Sequence, residues 1–183
     1  MAAKVFWIPG PWQGRLGILP RPRGGEWLSD EVRAWREAGI DVVVSLLEPG
    51  EEADLDLSAE PAAAKLSGLG FRALPIPDRG VPRSRAAVAE LVDQLVAALR
   101  SGKTVAVHCR QGIGRSPMIA VAALIAGGAD AETAVNAIRQ SRGPDVPETL
   151  AQRQWILDFS SAWLAEKRPA QQQHPAAGAS RRD

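Results

Sequence analysis

A single cysteine, two histidines and no tyrosine occur among 183 residues. One cysteine cannot close an internal disulfide, which fits a reducing compartment, so a cytoplasmic location is expected. So few thiols and imidazoles leave no set of ligands for a dedicated zinc site, and no metal or other cofactor is expected. No stretch reaches the roughly 18 apolar residues that a membrane helix needs. The opening MAAKVFWIPGPW has one lysine and an apolar run broken by Pro9 and Pro11, which does not read as a secretory signal. Neither charge sign dominates, because 22 basic and 21 acidic side chains leave a net charge of +1. That balance gives no field to hold nucleic acid or a membrane surface, and neither is expected as a partner.

What is present is a core. Apolar residues make up 45% of the chain, enough for one domain to bury. Short β-prone runs at Val5–Ile8, Leu16–Leu19, Asp41–Leu46, Phe71–Ile76 and Thr104–His108 are flanked by glycine, proline or charge, as strands are. Ser29 is expected to cap a helix through Trp35 to Ala38, stopped by Gly39. Ser84 should cap Arg85–Leu99, where Val88, Leu91, Leu95 and Leu99 share a face. Arg115–Ala126 is almost wholly apolar and should be a buried helix. Asp130 should cap Ala131–Ser141. Pro147 should open a last helix with Leu150, Trp155, Ile156, Phe159 and Trp163 on its buried side. Trp27 and Trp35 also fit core faces, and Trp7 and Trp12 an N-terminal strand and turn. The acidic residues 49–61, PGEEADLDLSAEP, read as a loop with a short helix following. This order predicts a single α/β domain with a central mixed sheet flanked by helices. The domain should span residues 1–165. Residues 166–183 lack apolar periodicity and are expected to form a disordered tail.

The informative segment is TVAVHCRQGIGRSPM, Thr104–Met118. A buried strand ends at His108, a tight loop with Gly112 and Gly114 follows, and a buried helix starts near Arg115. Such a junction gathers backbone N–H groups around an anion, and the glycines let the chain bend inward. Arg110, Gln111, Gly112, Ile113, Gly114 and Arg115 form the candidate phosphate-binding loop. Cys109 faces aligned N–H dipoles, a helix N-terminus and a guanidinium, all of which favour thiolate, the nucleophilic form. Arg115 can grip two phosphoryl oxygens at once. Ser116 can donate a hydrogen bond to the sulfur as it leaves.

The run HCRQGIGRS resembles the signature of protein tyrosine and dual-specificity phosphatases: His, Cys, five residues, Arg, Ser or Thr. The resemblance covers about residues 5–160. It implies hydrolysis of phosphate monoesters through a phosphocysteine on Cys109, without metal, with a phosphorylated protein or small phosphoester as partner. Expelling the ester oxygen needs a proton donor outside the loop. FRALPIPDRGVP offers Asp78, on a segment restrained by prolines with Gly80 as a hinge, and the resemblance implies that Asp78 is the general acid. Ile76 departs from the tryptophan loop signature of tyrosine-specific members. Arg79 is a lesser candidate for substrate contact. RGPDVPETLAQRQ, Arg142–Gln154, is similar to a Glu-Thr-x-x-Gln segment of atypical dual-specificity and cell-cycle phosphatases. On that resemblance Gln152 is expected to orient the hydrolytic water. Glu148 would brace the loop or cap the helix. His108 is expected to hydrogen-bond nearby backbone and tune Cys109.

A rhodanese-like sulfur transferase or an arsenate reductase also places cysteine in an anion-binding loop, but persulfide chemistry needs no leaving-group acid. A noncatalytic phosphate-binding module usually lacks the cysteine, the arginine or the acid, and all three are present.

Overall fold

The short β-prone runs pair into one five-stranded sheet. A computed structural model describes residues 3–167. The strands are β1 Phe6–Ile8, β2 Arg15–Leu19, β3 Val42–Ser45, β4 Gly70–Ala73 and β5 Thr104–His108, in spatial order β1-β2-β5-β3-β4. β1 is antiparallel to β2, and the remaining pairs are parallel, so the sheet is mixed. β4 stops at Ala73, short of the expected Ile76, because Pro75 and Pro77 lack ladder donors. The Ile76 N–H still reaches Leu46 O at 3.2 Å.

Side chains alternate across the strands. Leu16, Ile18, Val44, Val105 and Val107 face one core, and Leu19, Val43 and Ala106 face the other. The first face is covered by α4 Arg85–Arg100, α5 Arg115–Ala126, α6 Ala131–Arg142 and α7 Leu150–Lys167. The second is covered by α1 Leu28–Glu37 and α3 Glu60–Leu66. α5 is buried on every side from Arg115 to Ile125, as the wholly apolar run after Ser116 requires. The chain is therefore a single-domain α/β fold. No helix among the described residues is long and apolar enough to cross a membrane.

Two expected caps are present. Ser84 Oγ accepts the Ala87 N–H at 3.2 Å, and Asp130 Oδ1 accepts the Thr133 N–H at 2.8 Å. Ser29 is not a cap. The 3₁₀ turn Gly25–Trp27 runs straight into α1, so the helix starts at Leu28, two residues before the expected start, and Ser29 lies in its first turn. α7 starts at Leu150 rather than Pro147, because Thr149 Oγ1 accepts the Gln152 N–H at 3.2 Å and closes the helix start. Leu150 at its first position is 80% exposed, not buried. Trp27 is 48% exposed, with the Arg23 guanidinium over its ring, whereas Trp35 and Trp163 are in the core.

The largest departure is the acidic segment. It is helical: α2 Pro49–Asp54 precedes α3. Glu48 and Glu51 form a reciprocal capping box, with Pro49 in the first turn. At the other end α7 runs through Lys167, two residues past the expected domain boundary. The rest of the expected tail lies outside the described residues.

Candidate active site

The ends of β3, β4 and β5 deliver their following loops to one edge of the sheet, the usual place for a ligand in parallel α/β folds. Residues 109–114 join β5 to α5 there. Gly112 has φ +70°, and a Cβ on it would lie 3.0 Å from Leu19 O, so both backbone shape and space require glycine. Its N–H donates to Cys109 Sγ at 3.2 Å. A small open cavity of about 140 Å³ is lined by Asp78, Arg79, Cys109, Arg110, Gln111, Ile113, Gly114, Arg115 and Glu148. The expected nucleophile, loop residues and acid thus share one cavity. Gly112 turns its N–H onto the sulfur but does not line the wall.

Arg115 is almost completely buried, and its five N–H donors can be accounted for. Nη1 donates to Glu51 Oε2 at 2.5 Å and to Ile76 O at 2.9 Å, with Leu46 O at 3.5 Å. Nη2 donates to Glu51 Oε1 and to Asp78 Oδ1, both at 2.9 Å. Nε has no partner among the described residues. The edge left for an anion is therefore Nε together with the Nη2 proton now held by Asp78. Burial works against the Arg115 charge, but the Glu51 hydrogen bond and the charges of Cys109, Glu51 and Asp78 outweigh it, so its pKa lies above the ordinary value. Burial likewise opposes the Glu51 carboxylate. The Arg115 bond, the Glu48 N–H and the Arg115 and Arg110 charges prevail and hold it below the ordinary carboxylate range.

Other residues stand behind the cavity. His108 Nε2 is 2.8 Å from Glu60 Oε1, both fully buried, so its partner is a carboxylate on α3 rather than the expected backbone. The Trp35 ring packs beside the imidazole, 5.8 Å between centroids. Ser116 Oγ is buried and has no hydrogen-bond partner among the described residues. Gln152 is fully buried and outside the cavity lining. Its Nε2 donates to Gly80 O at 3.0 Å, tying α7 to the loop that carries Asp78. A Cβ on Gly114 would collide with Glu148 Oε1 and lie 2.9 Å from both amide atoms of Gln152, so glycine lets the loop and α7 close together. Arg79 is 71% exposed at the rim, 4.0 Å from Glu148.

Sequence reasoning missed Glu51, Glu60 and Arg142, which bonds the carbonyls of Gln111 and Gly112. For Glu51 a signal existed. Pro49 and Glu51 follow Glu48 in the spacing of a capping box, but glutamate is an unusual N-cap.

The family model for "Polymorphic toxin system, DSP-PTPase phosphatase" matches residues 19–129, which contain Asp78 and the whole loop from Cys109 to Ser116. The chain belongs to this family. Among similar proteins, this DSP-PTPase chain is 29% identical to cyclin-dependent kinase inhibitor 3 of Sus scrofa over 87 residues. That match takes in 46% of the chain and only 41% of the relative's length. Tk-PTP in its active form has 29% identity and a TM-score of 0.67, covering 81% of the chain and 92% of Tk-PTP. Kinase associated phosphatase (KAP), with its catalytic cysteine replaced by serine, shares the fold at a TM-score of 0.83 with 19% identity. That superposition covers 90% of the chain and 98% of KAP.

Proposed function

We propose that the chain hydrolyses phosphate monoesters through a phosphocysteine on Cys109. The observation that carries this reading is the buried Arg115 beside Cys109, with one guanidinium edge free or exchangeable and the Gly112 N–H already on the sulfur. A phosphate entering the cavity displaces Asp78 from Nη2 and takes Nε and Nη2 together. Asp78 takes up a proton from solvent on leaving the guanidinium; the thiolate then forms the S–P bond as the ester P–O bond breaks, and Asp78 gives that proton to the departing oxygen. Water then attacks phosphorus and returns a proton to Asp78. The S–P bond breaks, and the thiolate leaves with the Ser116 hydroxyl donating to it. The loop N–H groups and Arg115 carry the charge of the transferring phosphoryl group throughout.

The cavity is small and open at a polar mouth, which suits several phosphoesters, on protein or on small molecules, over one deeply inserted side chain. Asp78 in the same cavity favours phosphoryl transfer over sulfur transfer or arsenate reduction. The lone buried thiol fits a reducing, cytoplasmic setting.

The test is turnover of an aryl phosphate in excess chelator, with vanadate as competitive inhibitor and acid-quenched mass spectrometry for phosphate on Cys109. Activity abolished by chelator and restored by a divalent ion would overturn the reading. A panel of phosphopeptides, phosphoinositides and sugar phosphates then ranks the substrates.

A further inference from the structure

Arg142 is the last residue of α6, far in sequence from the phosphate loop, yet its guanidinium lies against it. Nη2 donates to Gln111 O at 2.8 Å and Nε to Gly112 O at 2.9 Å. The guanidinium carbon lies 4.2 Å from the ring centre of Phe6 on β1, which holds the fork in place. The planar trans peptide then transmits this grip. Within one peptide unit the C=O and N–H point opposite ways. The unit whose carbonyl is held by Arg142 Nη2 ends in the Gly112 N–H, and that N–H points at Cys109 Sγ, 3.2 Å away. The next unit is held through Gly112 O, so the Ile113 N–H also turns away from Arg142. Gly112 at φ +70° allows two successive carbonyls to face the same side, the arrangement that makes an anion-binding nest of the N–H groups.

We propose that Arg142 is a positioning residue that sets the inward orientation of the Gly112 and Ile113 N–H groups by holding the Gln111 and Gly112 carbonyls outward. It touches no reacting atom. Without it those two carbonyls lose their cation, and the peptide units are free to rotate an oxygen toward the phosphate. Burial pulls the Arg142 pKa below its ordinary value and the nearby Cys109 charge offsets part of that, so the assignment stands on the two carbonyl bonds and the Phe6 contact. Lysine cannot replace it fully, because a compact ammonium cannot hold two carbonyls in a planar fork and stack on Phe6. This inference rests on the phosphatase reading for the identity of the anion.

The experiment compares the wild type with Arg142→Met and Arg142→Lys, measuring vanadate inhibition of aryl phosphate hydrolysis well below each thermal midpoint. Arg142→Met should weaken vanadate inhibition by about 10- to 100-fold, the range for lost hydrogen bonds to a charged group. Arg142→Lys should fall between it and the wild type. A residue that merely ties α6 to β1 would lower the thermal midpoint and leave the vanadate constant unchanged, and that result overturns the proposal. Should Arg142→Met fail to fold, Arg142→Lys decides, and a vanadate constant equal to the wild type's overturns it. A wild type that neither hydrolyses aryl phosphate nor binds vanadate overturns the phosphatase reading and this inference with it. An active wild type with unaffected variants overturns the positioning role alone.

Discussion

Asp78 Oδ1 lies 2.9 Å from Arg115 Nη2, so the candidate acid and the candidate phosphate-gripping cation are partners before any substrate enters. The Asp78 side chain is 53% exposed and the Arg115 side chain 2% exposed, so in an exchange the carboxylate moves and the guanidinium stays. On the proposed phosphatase reading, substrate binding and delivery of the acid would be linked, because the phosphate would take the donor that Asp78 gives up.

Asp78→Asn tests the acid. A positioned acid contributes about 10²–10⁴-fold, and most where the leaving group is strongly basic. The variant should lose that much with phenyl or alkyl phosphates and only a small factor with activated aryl phosphates. The basic limb of its pH profile should flatten. One common factor across all leaving groups, with the pH profile intact, would reassign the role, first to Glu148, which lines the same cavity.

Glu51→Gln tests the brace under Arg115. Removing one partner of a buried ion pair strands the other, here at a cost on the order of 3 kcal/mol at neutral pH. The folded-state pKa of Glu51 is depressed, so its contribution is present above the ordinary carboxyl range and fades as pH falls through the lower folded value. Thermal midpoints of wild type and variant should therefore differ most near pH 7 and draw together as pH falls below the ordinary carboxyl range. A difference that stays constant from pH 7 to pH 3 would show that packing, not charge, is lost.

Gln152→Ala separates two roles. The amide holds Gly80 O beside Asp78, so the substitution should loosen the acid loop. The loss of rate should grow with leaving-group basicity, a weaker copy of Asp78→Asn. A slowed second step alone, with a burst of released phenol, would instead assign Gln152 to the hydrolytic water.

Ser116→Ala removes the buried hydroxyl that has no partner among the described residues. If that hydroxyl stabilises the departing thiolate, hydrolysis of phosphocysteine slows more than its formation. Phosphoenzyme should accumulate, and a burst should appear with a good leaving group. Equal slowing of both steps would give Ser116 a structural role in the loop.

The loop from Cys109 to Ser116 was legible in the sequence because its chemistry is local. A strand end, two glycines and a helix start within a dozen residues mark a turn able to gather backbone N–H groups around an anion. The caps of α4 and α6 were legible for the same reason, since a cap and its N–H donor are three residues apart. The family resemblance and the proline-bounded loop singled out Asp78 as a candidate that the structure places in the Cys109 cavity, but its pairing with Arg115 was not legible.

The sequence by itself determined the α/β class and the family resemblance, and it marked out the candidate nucleophile and the candidate phosphate loop. Only the tertiary structure decided what surrounds them. Glu51 reaches Arg115 across 64 positions, Glu60 reaches His108 across 48, and Arg142 reaches Gln111 across 31. Hydrophobic periodicity and capping patterns extend over a few turns of chain. An ion pair between distant segments depends on how α2, α3 and α6 pack around the end of β5. The residues that hold Arg115, His108 and the loop carbonyls therefore emerge only once the helices are docked.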